Sequence, residues 1–390
     1  MKHEKVAMKP LMLQNPFLKT PDEVANLFGL PLSARRKVKL IEFYLQEEVK
    51  LSDRSLDNLG SKGISKQKAD KAIEPILDSF ERRFDLDLDQ LIPDGTLIFE
   101  LDVLWQAAIK AFFCGLNSGE LEVDTNCFQP FVAFIERRCR EYLPQKEVIL
   151  QLREREGLDP GSHLVEFYEP VIGKAHLRSC HQDVAIKALN QFSQDRSYSP
   201  TIEELEALSA LHQDFNLSLF ASLDLVALNL LWAGYNDEQR SEDSVLVEIL
   251  AEDAKCYFGR LIAFIKRKVG CSFAKISELV PVQFDSSESG RTEKEVKIER
   301  LKEWRKGKTK PSVSTMDEFF SHFDLDDQIP LLIYGLICQA IDREISKYRC
   351  ADERALLQQT YSPENYRRYY EKEKAAASLS TATTTTEATF

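Results

Sequence analysis

The stretch Pro130-Phe131-Val132-Ala133-Phe134-Ile135-Glu136-Arg137-Arg138-Cys139-Arg140-Glu141-Tyr142 sets the fold class. Phe131, Phe134, Ile135, Cys139 and Tyr142 recur at spacings of three and four, the repeat of one helical face. Arg137, Arg138, Arg140 and Glu141 fall on the opposite side, where a surface helix keeps its polar residues. The spacing predicts an amphipathic helix.

The same pattern extends along the chain. Leu40, Ile41, Phe43, Tyr44 and Leu45 form one apolar group. Thr201 reads as a helix cap before an acidic first turn, Glu203 and Glu204, and a stripe of Leu205, Leu208 and Leu211 follows. Between Val245 and Lys268, Leu246, Ile249, Leu250, Phe258, Leu261, Ile262 and Ile265 continue the helical period. No run sustains a two-residue alternation. Glycine and proline number 15 each in 390 residues, about 4% apiece against roughly 7% and 5% in average proteins. So few turn-formers favour long helices, and the expected fold is all-α and multi-lobed.

At 43% hydrophobic content the chain can bury a sizeable core unaided. Its eight cysteines include no C-x-x-C pair, which excludes a zinc ribbon or thioredoxin motif and suits a reduced, cytoplasmic protein. Met1 to Lys19 is charged and interrupted by Gln14, Asn15 and Pro16, so no signal core is read there. The most apolar run, Ile329 to Ile341, has 13 residues against the roughly 18–20 that span a bilayer, and reads as a buried helix.

Breaks are expected near Ser55–Ser65, Gly157–Gly161, Ser193–Pro200 and Phe284–Gly290. They suggest an N-terminal helical segment over residues 1–75, a central body over 76–283, a basic segment and buried helix over 291–350, and a C-terminal helix over 351–374. The low-complexity residues 375–390 lack the apolar area to fold and are expected to be disordered. Three regions, around Phe84-Asp85-Leu86, Phe215-Asn216-Leu217 and Phe323-Asp324-Leu325, share an aromatic and polar lead into an apolar helix. They read either as a loose repeat or as similar helix caps.

Charge is unevenly spread. The formal net charge is −12, yet Arg291 to Lys310 holds nine basic and four acidic residues. A cationic element on an acidic body suits a polyanion, because contacts to phosphate release counterions. The alternative is a solvated helix with internal ion pairs such as Glu293–Lys297, although Glu295–Glu299 at the same spacing is like-charged. Leu301 and Trp304, with Ile298, form an apolar edge expected to end at Gly307. Lys308-Thr309-Lys310-Pro311 makes a turn, and Ser312 or Ser314 caps a second helix carrying Val313, Met316, Phe319, Phe320 and Phe323.

This run, from Arg300 through Trp304, Gly307, Pro311 and Ser312 to Asp326, resembles the second half of Cro/repressor-type (Xre-like) helix-turn-helix domains. The resemblance covers about thirty residues. It implies phosphate contacts from Lys306, Lys308 and Lys310, groove or base contacts from Lys294, Lys297 and Arg300, and a packing role for Trp304. The first half of the family motif is not matched, the nearest segment being Phe273-Ala274-Lys275-Ile276-Ser277-Glu278-Leu279, and Arg305 stands where the family usually has Glu. Asp22 to Leu30, followed by Arg35, Arg36, Lys37 and Lys39, offers a second, weaker helix-turn-helix candidate.

Other constellations are incomplete. His176, Cys180 and His181 lack further zinc ligands. Asp85, Asp87 and Asp89 lack the glycine and glutamate of a calcium loop. Pro93-Asp94 with Glu100-Leu101-Asp102 lacks the lysine of a nuclease core, and Lys306-Gly307-Lys308-Thr309 lacks the leading glycine of a phosphate loop. No catalytic constellation, metal or cofactor motif is read. The expectation is a nucleic-acid-binding protein, most readily for duplex DNA, of regulatory, mobile-element or defence type. The alternative is a helical protein–protein scaffold in which the helix-turn-helix is only structural.

Overall fold

The computed structural model describes residues 5–6, 17–31, 33–45, 47–84, 104–106, 108–110, 112–113, 124–153, 164–233, 243–283, 291–323 and 325–387. They are predominantly helical. Two short strands, β1 (Lys5–Val6) and β2 (Ile64–Ser65), pair antiparallel with Val6 opposite Ile64. The chain divides into two compact units, residues 1–15 with 19–123, and residues 16–18 with 124–390. The segment ends read at residues 75 and 283 lie within the first and the second unit respectively.

In the first unit, α1 (Pro21–Leu27) begins with a reciprocal cap. Thr20 Oγ1 accepts from the Glu23 amide at 3.1 Å, and Glu23 Oε2 accepts from the Thr20 amide at 2.8 Å. α2 (Ala34–Leu45), α3 (Asp53–Leu59) and α4 (Lys66–Phe84) follow. Ala34, Val38, Leu56, Leu59, Ile64 and Ala69 pack together as their core. The basic cluster on α2 is partly neutralised: Arg35 lies 3.2 Å from Asp57, and Lys37 lies 2.6 Å from Asp22.

The second unit contains α5 (Gln129–Arg153), α6 (Leu164–Ile172), α7 (Ser179–Gln194), α8 (Ile202–Leu231), α9 (Val245–Ala251) and α10 (Tyr257–Val269). It continues through α11 (Phe273–Glu278), α12 (Glu293–Arg305), α13 (Val313–Phe320), α14 (Leu325–Ser346), α15 (Ala351–Thr360) and α16 (Pro363–Glu387). α8 is the axis, packed by α5, α7, α14 and α16. Thr201 and Glu204 form its capping box. The helix then runs beyond the Leu205–Leu211 stripe, because Phe215, Leu219, Phe220 and Val226 bury it on every side. Phe215-Asn216-Leu217 thus lies mid-helix and is no cap, so it does not repeat the lead into α14. By length and composition α8 could cross a membrane, but 78% of its apolar window is buried inside the protein.

Burial overturns one assignment in the opening stretch. Arg138, placed on the polar face of α5, is 0% exposed. Its Nη2 donates to Asp214 Oδ2 at 2.7 Å and to Ser218 Oγ at 2.8 Å, and the Phe17 ring lies 4.6 Å from its guanidinium. A buried arginine persists where a carboxylate answers it; the periodicity of α5 alone carries no trace of that partner.

α16 extends to Glu387, through residues expected to be disordered from Ala375. Tyr366, Tyr369, Tyr370 and Glu373 anchor its first turns in the core. Ala375-Ala376-Ala377 then continues a helix already nucleated, which costs far less than starting one. Asp85, Asp87, Asp89, Asp94, Glu100 and Asp102, and the stretches 157–161 and 284–290, lie outside the described residues.

Candidate nucleic-acid interface

α12 starts at a second reciprocal cap. Thr292 Oγ1 accepts from the Glu295 amide at 3.3 Å, while Glu295 Oε2 accepts from the Thr292 amide at 2.8 Å. Leu301 and Trp304 are buried, with the indole edge-on to Phe258 of α10 and Phe319 of α13, at centroid distances of 6.2 and 5.7 Å. Trp304 is therefore a packing residue. Ile298, expected on the same edge, is 41% exposed, because α12 turns it away from α10 and α13.

The end of α12 is fixed from below. Gly307 has φ 68°, the left-handed conformation that favours glycine. A Cβ there would lie 3.1 Å from Cys256 Cβ. Cys256 caps α10, its Sγ accepting from the Gly259 amide at 3.3 Å and donating to the Trp304 carbonyl at 3.3 Å. Burial, reinforced by Asp342, pushes this thiol up to about 11, so it keeps the proton it donates. Beyond the turn, Ser312 Oγ accepts from the Thr315 amide at 3.1 Å and opens α13, whose Met316, Phe319 and Phe320 are buried.

The six cations singled out in the sequence do not form one cluster. Lys297 is engaged, 2.8 Å from Glu293 and donating to the Glu278 carbonyl at 3.2 Å. With Lys294, Ser277, Glu278, Thr292 and Glu293 it lines a shallow pocket of about 360 Å³ between α11 and α12. Lys310 is exposed, yet desolvation lowers its ammonium below the ordinary lysine range, with Asp342 opposing the shift and Arg343 adding to it. Arg300, Lys306 and Lys308 are exposed and make no ion pair among the described residues. At about 1.5 Å of rise per residue, Lys294 and Lys306 stand roughly 18 Å apart along α12.

The acidic residues of α12 are placed unevenly too. Glu303 accepts from Thr309 Oγ1 at 3.2 Å, and Glu299 lies 3.8 Å from Lys302. Glu295, Glu299, Lys302 and Lys306 share the solvent face. That face is acidic in its first half and basic in its second, where the Lys308 turn continues it.

A further cationic group was not read from the sequence. Phe273, at the start of α11, has the Arg305 guanidinium 3.4 Å and the Lys266 ammonium 4.9 Å from its ring centroid. The run Lys266-Arg267-Lys268 was the available signal, but its neighbours across Gly270 and from α12 are set only by folding. Elsewhere, His176 Nε2 faces Glu373 Oε1 at 3.0 Å while Cys180 is exposed. No group of three metal-ligating side chains occurs among the described residues.

The fold and this surface define a predominantly helical protein with a cationic helix end and turn set on an acidic body. Comparison with protein-family models, curated proteins and solved structures finds no match for the chain.

Proposed function

We propose that this protein binds nucleic acid, duplex DNA in the first place, through the C-terminal half of α12 and the Lys306–Lys310 turn. One observation carries the reading. Arg300, Lys306 and Lys308 stand exposed and free of carboxylates among the described residues, on a chain whose net charge is −12. On such a chain, unpaired cations collected at one buttressed helix end attract polyanions by releasing condensed counterions. Trp304, Gly307 and Ser312 support reading α12, the turn and α13 as a helix-turn-helix-like pair, in which the turn positions the phosphate contacts.

A second reading has its own observation. Glu295 and Glu299 face solvent on the first half of α12, where a helix docked in a groove would meet phosphates. They favour a helical scaffold that places this mixed face against a protein partner.

Binding of labelled duplex DNA by the full chain across a salt series separates the two. DNA binding gives a steep negative log–log slope, about 0.9 per phosphate contact, and Arg300→Ala and Lys308→Ala each make it shallower. Wild-type curves for both variants, or no binding at low salt, overturn the nucleic-acid reading.

A further inference from the structure

The Phe273 ring holds two cations, and neither has a carboxylate partner among the described residues. Arg305 lies 3.4 Å from the ring centroid and Lys266 lies 4.9 Å from it. The two charges are thus closer than a Debye length at 0.1 M salt, about 10 Å, and repel each other. Neighbouring cations are treated differently. Arg267 reaches Glu252 at 2.6 Å and Glu248 at 3.0 Å, and Lys268 reaches Glu248 at 3.1 Å. At the end of α10, therefore, two of three consecutive cations are neutralised and Lys266 is left for something else.

The surroundings keep the pair in place. Arg305 is held at the backbone, where Gly259 lets α10 approach it closely. Lys275 stands exposed on α11, two residues beyond Phe273. Lys306, exposed, follows Arg305 directly in the chain.

We infer that a backbone phosphate of bound duplex DNA is held jointly by Lys266 and Arg305, beside the ring of Phe273 that both cations touch. The inference rests on the nucleic-acid reading above and extends the contact surface from α12 onto α10 and α11. An anion there relieves the repulsion between the two cations, and the ring restricts both side chains before binding. The site recognises phosphate and not base identity, so it adds affinity and orientation without sequence preference.

The test uses the full chain, labelled duplex DNA and a salt series, with Lys266→Gln, Lys266→Arg and Lys268→Gln, each verified as folded by its melting curve. Lys266→Gln is expected to make the log–log slope shallower by about 0.9, the loss of one phosphate contact. Lys266→Arg restores the wild-type slope, and Lys268→Gln leaves it unchanged. If Lys266→Gln superimposes on wild type while Lys308→Ala loses slope, the Lys266–Arg305 site is overturned and the nucleic-acid reading stands. If the wild-type chain does not bind at low salt, both are overturned.

Discussion

Gly259 of α10 lies directly against the carbonyl of Arg305: a Cβ at Gly259 would come within 2.6 Å of that oxygen. The two helices meet at van der Waals contact because the residue between them has no side chain. The C-terminal half of α12, where the proposed phosphate contacts lie, is positioned by that approach. Gly259→Ala forces a methyl against the Arg305 backbone, and is expected to cost about 1–3 kcal/mol, as overpacking does. Denaturant unfolding checks the stability. The account also expects weaker DNA binding, because Arg305 and Lys306 move with the helix.

Trp304 gives the complementary case. It is buried between Phe258 and Phe319, so Trp304→Ala is expected to lose about 3–5 kcal/mol. Gly307→Ala, which places a Cβ at φ 68°, is expected to lose about 1–2 kcal/mol. Equilibrium unfolding of both variants checks the order.

The Arg138–Asp214 pair, both 0% exposed, predicts an asymmetry. Asp214→Ala leaves a buried guanidinium unanswered and is expected to destabilise by about 3–5 kcal/mol. Replacing both partners, as Arg138→Met with Asp214→Leu, removes the buried charge as well and is expected to cost less. A double change as harmful as Asp214→Ala would show that the pair is needed for more than mutual neutralisation.

Two buried carboxylates pull the pH dependence in opposite directions. Glu373 is brought down to about 2: burial opposes its ionisation, but His176 and Arg137 outweigh burial. Its folded value lies below its unfolded one, so it stabilises the fold above about pH 4.5. That contribution, about 3 kcal/mol, is lost as pH falls toward 2. Asp224, enclosed by hydroxyls of Ser244, Tyr334 and Tyr366, is raised by burial to about 6. The native state holds this proton more tightly than the unfolded chain, so stability rises by about 3 kcal/mol as pH falls from above 6 to below 4. Unfolding midpoints between pH 3 and 7 are expected to lose that rise in Asp224→Asn. Glu373→Gln is expected to remove the loss below pH 4.5.

Short-range features were legible in the sequence. Thr201 with Glu204, Gly307 after Trp304, and Ser312 before Met316 and Phe319 depend on neighbours within about one helical turn, and each forms as its local chemistry demands. Helical periodicity gave the all-α class for the same reason. Partners distant in the chain were not legible. Arg138 reads as surface until Asp214 is brought to it, and the spacing suggests the Glu293–Lys297 pair but not the second partner of Lys297, the Glu278 carbonyl. Lys266 and Arg305 lie 39 positions apart, and only the fold brings both against Phe273. The charge count of α12, five basic to four acidic, also hides which end of its solvent face is acidic, a matter of which residues face solvent.

The most direct test of the central claim is the salt dependence of duplex DNA binding by the full chain, beside Lys308→Ala. The account predicts tight binding at low salt, a steep negative log–log slope, and a slope shallower by about 0.9 in the variant. An absence of binding at the lowest salt, where phosphate contacts are strongest, would contradict it.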